Sequence, residues 1–189
     1  MVNLILAVDQ AGVMAVDGHI PWNLTADLRN FRALTINQTV VMGRKTWQTL
    51  PRTPLPRRVN VIMTANATDM SWLGFTPEQL AELSPQEMPI IAHTPSAVLA
   101  IADSQAQAGG ETWIIGGASL YDTFIPYTKR IVLTEIQGDY SKSGTDITTY
   151  RNGDGVRNVM NQRGNWNISS VTHGSENGLG YTITDYQKM

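Results

Sequence analysis

Six short apolar segments rich in β-branched residues recur between residue 3 and residue 136. They are 3–8, 39–42, 59–63, 89–93, 112–117 and 130–136. None of them alternates strictly between apolar and polar residues, which is typical of strands that are covered on both faces. The pattern therefore predicts a buried sheet.

Segments with helical spacing lie between these apolar segments, at 25–34, 44–50, 94–108 and 118–125. Thr94 is the expected N-cap of the third helix, with Pro95 at its first helical position. Strands that alternate with helices indicate an α/β fold with a largely parallel sheet. The tail differs, because two β-rich runs, 165–172 and 178–186, flank a turn of Gly, Ser and Asn. They predict a closing antiparallel hairpin.

Composition narrows the possible functions. The chain has 189 residues, a net charge of −2 and no cysteine. These values exclude disulfides and thiolate chemistry, and they give no electrostatic reason to expect nucleic acid or an anionic membrane. His19, His93 and His173 are isolated from one another, so no metal site is expected. The apolar N-terminal run is too short for a signal peptide or a membrane span, which favours a cytoplasmic protein.

Two regions look like excursions from the surface of the fold. They cover residues 64–88 and 141–164, and the first contains a possible extra helix that begins with Thr-Pro in "TPEQLAEL".

Asp27 occupies an unusual place on the first predicted helix. Leu24, Leu28, Phe31 and Leu34 form one apolar stripe at helical spacing, and Asp27 falls inside that stripe. One interpretation is structural, since an acid in the first turn complements the helix dipole and Thr25 could cap the helix. The other is functional. A carboxylate in an apolar cleft could form paired hydrogen bonds with a heterocycle that offers two N–H groups.

Two strand-to-helix junctions have the composition of phosphate-binding turns. Gly43 is followed by Arg44, Lys45 and Thr46, and Gly116-Gly117 precedes the start of another helix. Helix N-termini favour anions, and glycine lets a ligand approach the backbone closely. Each junction alone could equally be an ordinary turn. The pair suggests a dinucleotide that bridges both helix ends at the carboxyl edge of the sheet.

Six motifs occur in a familiar order and spacing: "LILAVD", "GHIPWNLTADLRNFRALT", "VVMGRKTWQTL", "PLPRRVNVIM", "WIIGGASLY" and "RIVLTEI". With them, the chain resembles the dihydrofolate reductase family over most of its length, in the bacterial form that has Asp on the first helix. The resemblance implies an α/β fold with a central mixed, mostly parallel, twisted sheet of about eight strands. A C-terminal antiparallel hairpin and about four flanking helices complete it. Residues 1–189 would form a single domain, with an adenosine-binding lobe at roughly 39–109.

The implied activity is NADPH-dependent reduction of 7,8-dihydrofolate to 5,6,7,8-tetrahydrofolate, which supplies one-carbon and thymidylate metabolism. Hydride would go to C6 and a proton to N5. Asp27 would bind the pterin and promote N5 protonation, Trp22 would hold a water beside it, and Thr134 would donate a hydrogen bond to Asp27. Arg58 would grip the glutamate α-carboxylate. The apolar residues implied around the substrate are Ile5, Ala7, Leu28, Phe31, Leu50, Leu55 and Ile115.

For NADPH, the resemblance implies phosphate contacts at both glycine junctions, with Arg44 favouring the 2′-phosphate. Tyr121 would flank the nicotinamide as a third catalytic residue, and 11–20 would be a mobile loop whose Ile20 closes over the ring. The full implied set is Ala7, Met14, Gly18, Ile20, Gly43, Arg44, Lys45, Thr46, Met63, Thr64, Ile115, Gly116, Gly117, Ala118, Ser119, Leu120 and Tyr121.

The chain departs from the family pattern at several points. Ala15 and Arg57 stand where glycine is common, and the second of these makes Arg58 the choice for the glutamate grip. The 64–88 segment is longer than in short bacterial enzymes. Two alternatives remain: a reductase of the same fold acting on another pterin or on a riboflavin-pathway pyrimidine, and a non-catalytic NADPH- or folate-binding homologue. The expected partners are dihydrofolate and antifolate-type small molecules, with no nucleic acid, no membrane and a monomeric chain.

Overall fold

The computed structural model describes residues 1–65, 71–84, 87–150 and 165–189. Within these residues the central sheet has eight strands: β1 (Val2–Asp9), β3 (Thr39–Gly43), β4 (Val59–Met63), β5 (Ile90–Ala92), β6 (Thr112–Gly116), β7 (Thr128–Ile136), β9 (Trp166–Glu176) and β10 (Leu179–Lys188). Along the sheet the order is β5-β4-β3-β6-β1-β7-β10-β9. All pairs are parallel except those made by β10, so the predicted mixed sheet with an antiparallel C-terminal hairpin is confirmed.

Five α-helices lie in the described residues: α1 (Thr25–Thr35), α2 (Arg44–Thr49), α3 (Pro77–Glu82), α4 (Pro95–Gln107) and α5 (Ala118–Phe124). Four match the predicted helices, and α3 is the extra helix of the first excursion. The predicted cap of α4 is present, since Thr94 Oγ1 accepts a hydrogen bond from the Ala97 amide. Local capping and helical spacing were therefore sufficient to place these helices.

One small sheet was not predicted. β2 (Val13–Val16) pairs antiparallel with β8 (Ile147–Thr149), inside regions expected to be a loop and a surface excursion. Asp17 follows β2, and its carboxylate accepts hydrogen bonds from the backbone amides of Thr145 and Asp146. The 11–20 segment is thus tied to the chain around residue 146. Residues 151–164 of the second excursion lie outside the described residues.

Apolar layers cover both faces of the sheet, as the lack of alternation indicated. One layer is centred on Leu4, Ile114 and Phe124, and the other on Trp47 and Trp113. Each is almost completely shielded from solvent. Burial on both faces makes the central strands a rigid support for whatever lies at their carboxyl ends.

The described part of the first excursion packs on α2. A 3-10 turn at Ser71–Leu73 brings the Leu73 carbonyl oxygen to 3.1 Å from Trp47 Nε1, which donates a hydrogen bond to it. Phe75 meets the Trp47 ring edge-on at 5.8 Å. The excursion therefore supports the buried side of α2.

No helix in the described ranges has the length and apolar character needed to cross a membrane. The same ranges contain no group of three or more His, Cys, Asp or Glu side chains placed to hold a metal ion. The single-domain assignment and the boundaries of the adenosine lobe stay predictions.

Candidate active site

Asp27 points from α1 towards the central strand β7. The Thr134 hydroxyl on β7 donates a hydrogen bond to Asp27 Oδ1 at 2.6 Å, as the family resemblance implies. Burial raises the pKa of the Asp27 carboxyl above its ordinary value, and the Thr134 hydrogen bond opposes that rise. Asp27 is therefore a mostly buried acid whose proton affinity is increased by its surroundings.

The N-terminus of α1 is not capped by Thr25, so that expectation is wrong. The N-cap position is Leu24, whose side chain has no hydrogen-bonding atom. Instead the Glu176 carboxylate accepts from the amides of Thr25 and Ala26, both at 3.0 Å. A distant acid replaces the local cap, because helix-end amides need an acceptor from any source. Asp27 is consequently not engaged as a cap.

The predicted apolar stripe of α1 is split rather than uniformly buried. Leu24 is buried, Phe31 and Leu34 are half-buried, and Leu28 is 56% exposed. Helical phase placed Leu28 beside Asp27 correctly, but no neighbouring element covers it. Such a side chain is available as the wall of an open cleft.

Other apolar residues expected at the substrate lie on the same side of the sheet. Ile5 is 6% exposed, Ala7 is the half-buried position of β1, and Phe31, Leu50, Leu55 and Ile115 pack on the Trp47 layer. Trp22 is 7% exposed, and its Nε1 has no hydrogen-bond partner among the described residues. A buried indole N–H without an acceptor fits the expected water or ligand beside Asp27.

The side chains of Arg58 and Arg57 have different neighbours. Arg58 donates to Thr35 Oγ1 and to the Pro56 carbonyl, both at 2.9 Å, and its guanidinium carbon lies 5.6 Å from the centre of the Phe31 ring. Burial, and to a lesser extent the charge of Arg32, lower the pKa of Arg58. An anion placed here would relieve both effects.

Arg57 has a different role. Its φ is 57°, in the left-handed region where glycine is favoured, and its exposed side chain donates to Asn37 Oδ1 at 3.3 Å. The choice of Arg58 over Arg57 for the glutamate carboxylate stays a prediction.

The two glycine junctions are adjacent in space because β3 and β6 are neighbours in the sheet. A methyl group added at Gly43 would lie 3.9 Å from the Gly116 carbonyl oxygen and 4.0 Å from the Gly117 nitrogen. Methyl groups at Gly116 and Gly117 would lie 3.8 and 3.6 Å from Thr46 Oγ1. The three glycines thus line one gap between the starts of α2 and α5, which side chains would narrow.

Tyr121 is buried beneath this gap. Its hydroxyl donates to the Ile5 carbonyl at 2.9 Å, its ring meets Tyr150 edge-on at 5.7 Å, and burial raises its pKa. The phenol is therefore a neutral donor that joins α5 to β1, directly under Gly116.

The remaining residues expected at the cofactor differ in their exposure to solvent. Leu120 and Thr64 are buried, Met14, Gly18, Arg44, Met63 and Ala118 are half-buried, and Ile20, Lys45 and Ser119 are exposed. Ile20 is 57% exposed, so the described residues leave most of its side chain uncovered.

Sequence reasoning missed two acids that organise the site. Asp9 is buried at the end of β1 and accepts from the amides of Ala11, Val13 and Tyr140. Glu176 precedes an Asn-Gly turn and reaches α1 across 150 residues of chain. Glu176 has no local signal, because its partners are backbone amides that only the fold brings near. Asp9 has two local partners, Ala11 and Val13, and only Tyr140 is brought to it by the fold.

The chain is similar in sequence to known dihydrofolate reductases. A family model described as dihydrofolate reductase matches residues 1–188. The dihydrofolate reductase of Mycobacterium tuberculosis is 31% identical over 196 residues, which cover 100% of this chain and 98% of that protein. The dihydrofolate reductase of Bacillus subtilis is 31% identical over 140 residues, covering 74% of this chain and 71% of that protein.

A solved structure shares the fold. The dihydrofolate reductase of Enterococcus faecalis, complexed with NADP(H) and RAB-propyl, superposes with a TM-score of 0.72 at 23% identity. The match covers 100% of this chain and 96% of that one. At this identity the likeness speaks for the architecture alone.

Proposed function

The chain belongs to the dihydrofolate reductase family, and from that premise we propose that the cleft around Asp27 performs the family's reaction. That reaction is the NADPH-dependent reduction of 7,8-dihydrofolate to 5,6,7,8-tetrahydrofolate. The observation that carries the assignment is the Asp27–Thr134 pair beside apolar side chains. It supplies one anionic acceptor with raised proton affinity at the end of an apolar cleft.

Asp27 anchors the pterin. Thr134 occupies Oδ1 and orients the carboxylate, so the second oxygen can accept from a ring N–H or amino group of the substrate. Pairing two N–H groups with the carboxylate offsets the cost of its burial. The negative charge of the ionised Asp27 carboxylate favours protonation of the bound pterin at N5, with water delivered beside Trp22 as the proton donor.

The three glycines provide space for the cofactor's phosphates. Gly43, Gly116 and Gly117 line a gap that a side chain at any of them would narrow, and the starts of α2 and α5 frame it. Arg44 and Thr46 would hold the phosphates there, with Arg44 favouring the 2′-phosphate. NADPH supplies the hydride when bound. The chain's contribution is to align that donor with the pterin and to exclude water.

The direct test is a turnover assay. We expect the purified protein to oxidise NADPH when dihydrofolate is added, and a diaminopyrimidine inhibitor to suppress the reaction because its amidine edge competes for Asp27. The loss of NADPH absorbance measures the rate. Absence of turnover at any substrate concentration would reject the enzymatic function.

A substitution of Arg58 distinguishes a folate substrate from one that lacks a glutamate tail. We expect Arg58→Gln to raise the KM for dihydrofolate by about ten- to thirtyfold, since a charge-assisted ion pair to the carboxylate is lost. The kcat should change by less than about twofold, because this contact is remote from the reacting atoms and equally strong in the ground and transition states. Steady-state kinetics at saturating NADPH would measure both.

Two controls accompany this variant. Arg57→Gln removes a neighbouring cation that faces Asn37 instead of the cleft, and its KM should stay near that of the unmodified protein. A dihydropterin without the benzoyl-glutamate tail should be reduced equally well with or without Arg58. If Arg58→Gln leaves the KM for dihydrofolate unchanged, the alternative of another pterin or a riboflavin-pathway pyrimidine becomes the better assignment.

Antifolate-type small molecules should bind the same cleft. A monomeric chain and a cytoplasmic location stay predictions from the sequence.

A further inference from the structure

Glu176 connects the far end of the C-terminal hairpin to the helix that carries Asp27. Its Oε1 accepts from the Thr25 amide and its Oε2 from the Ala26 amide, both at 3.0 Å. These are the first two amides of α1, which have no acceptor inside the helix. Since Leu24 offers no side-chain acceptor, Glu176 is the cap of α1.

The position of Glu176 is set by the hairpin. Glu176 ends β9, and Asn177 and Gly178 form the turn with φ values of 55° and 77°, the left-handed geometry of tight hairpins. Leu179, the next residue, packs in a small apolar cluster with Trp22 and Leu24. Polar and apolar contacts together fasten the hairpin tip to the start of α1.

The sheet to which the hairpin belongs makes a second contact with the start of α1, through Asp27. β9 pairs with β10, β10 pairs with β7, and Thr134 on β7 donates to Asp27. Residues 25, 26 and 27 are therefore attached in succession to one block of three hydrogen-bonded strands. A helix turn fixed at two points cannot tilt or rotate without breaking one of these contacts.

This arrangement also leaves Asp27 available to a ligand. An acid in the first turn of a helix is normally attracted to the helix-end amides. Here Glu176 accepts from the two amides, and the Asp27 carboxylate accepts a hydrogen bond from Thr134 instead. We propose that Glu176 is a positioning residue for the reductase site: by capping α1 from the hairpin it holds the Asp27 carboxylate towards Thr134 and the substrate. The inference rests on the function proposed above.

The test compares Glu176→Ala and Glu176→Gln with the unmodified protein. We expect Glu176→Ala to lower the single-turnover rate of hydride transfer at saturating dihydrofolate by about tenfold, because a small misplacement of a positioning group is costly. The affinity for a diaminopyrimidine should fall by a similar factor, whereas the NADPH dissociation constant should change by less than about twofold. Glu176→Gln retains one acceptor oxygen and should give intermediate values.

Thr94→Ala is the matched control. It removes the side-chain cap of α4, which accepts from Ala97 and lies outside the candidate site. Both Ala variants should show a comparable fall in Tm, because each loses a helix cap. Only Glu176→Ala should lose hydride-transfer rate and diaminopyrimidine affinity.

The possible results distinguish a failure of the role assigned to Glu176 from a failure of the proposed reductase function. If Glu176→Ala matches Thr94→Ala in rate and in diaminopyrimidine affinity, Glu176 is a structural cap only and the inference is overturned. If the unmodified protein does not reduce dihydrofolate, the proposed function fails. The diaminopyrimidine affinities then still decide whether Glu176 positions Asp27.

Discussion

Replacing Asp27 with asparagine is expected to slow hydride transfer by about two to three orders of magnitude at neutral pH, the range of a lost acid–base group. Asparagine keeps the shape and can accept from Thr134, but it cannot carry the charge that favours a protonated pterin. Single-turnover rates with NADPH and dihydrofolate measure the effect. The rate should recover partly at acid pH, where the solvent supplies the proton without help.

A matched substitution tests whether the effect belongs to the site. Asp122 on α5 also accepts a hydrogen bond from a hydroxyl, that of Tyr150 at 3.0 Å, but it is exposed. Asp122→Asn should leave the rate within about twofold. Unchanged hydride transfer at neutral pH in Asp27→Asn would contradict the role assigned to Asp27.

Asp27→Asn should also make the ligand-free protein more stable at neutral pH, although it slows hydride transfer. Because burial raises the pKa of Asp27, the folded protein binds a proton there more tightly than the unfolded chain does. Its contribution to stability is full below the unfolded pKa, near 3.8, and is lost as the pH rises through the folded pKa. We therefore expect Asp27→Asn to raise the Tm of the ligand-free protein at neutral pH, with the gain disappearing towards pH 3. Thermal unfolding at several pH values measures it.

Local sequence signals were sufficient for most elements of the fold. The buried strands show as unalternating apolar runs, and α4 shows as Thr94-Pro95 followed by a helical pattern. These signals involve residues that are only a few positions apart, so they can be recognised in the sequence without knowledge of the fold. The β2–β8 pair has no such signal. Val13–Val16 becomes a strand only because Ile147–Thr149 lies beside it, more than a hundred residues later.

In the candidate site too, some features could be predicted from local sequence and others depend on the fold. Helical phase predicted where Asp27 points but not that Leu28 is left uncovered, because coverage depends on what packs against the helix. The glycine junctions were recognised separately, and their contact follows from β3 and β6 being neighbours in a sheet whose order differs from chain order. The Glu176 cap could not be predicted at all, since nothing in the sequence distinguishes Glu176 from the other acidic residues. The family resemblance, not the spacing, connected Asp27 to a pterin.

Gly116→Ala is the second substitution with a large expected effect. Gly116 has a φ of 122°, which L-residues rarely adopt, and the added methyl would lie 3.2 Å from the Tyr121 hydroxyl oxygen. We expect a loss of about 2–4 kcal/mol from backbone strain and the displaced Tyr121 hydrogen bond. That loss corresponds to a fall in Tm of roughly 5–15 °C for a domain of this size. NADPH affinity should fall by about a hundredfold, because the gap beside Thr46 is narrowed and shifted.

Gly109→Ala is the control that distinguishes the cost of backbone strain from the loss of NADPH affinity. Gly109 follows α4 with a φ of 78°, and an added methyl there would meet no heavy atom within 4 Å. It therefore carries the backbone cost, about 1 kcal/mol, without any contact to Tyr121 or to the gap. Calorimetric titration with NADPH and thermal unfolding of both variants give the comparison. If Gly116→Ala binds NADPH as tightly as Gly109→Ala does, the glycine is needed for the turn alone, and the phosphates must be held elsewhere.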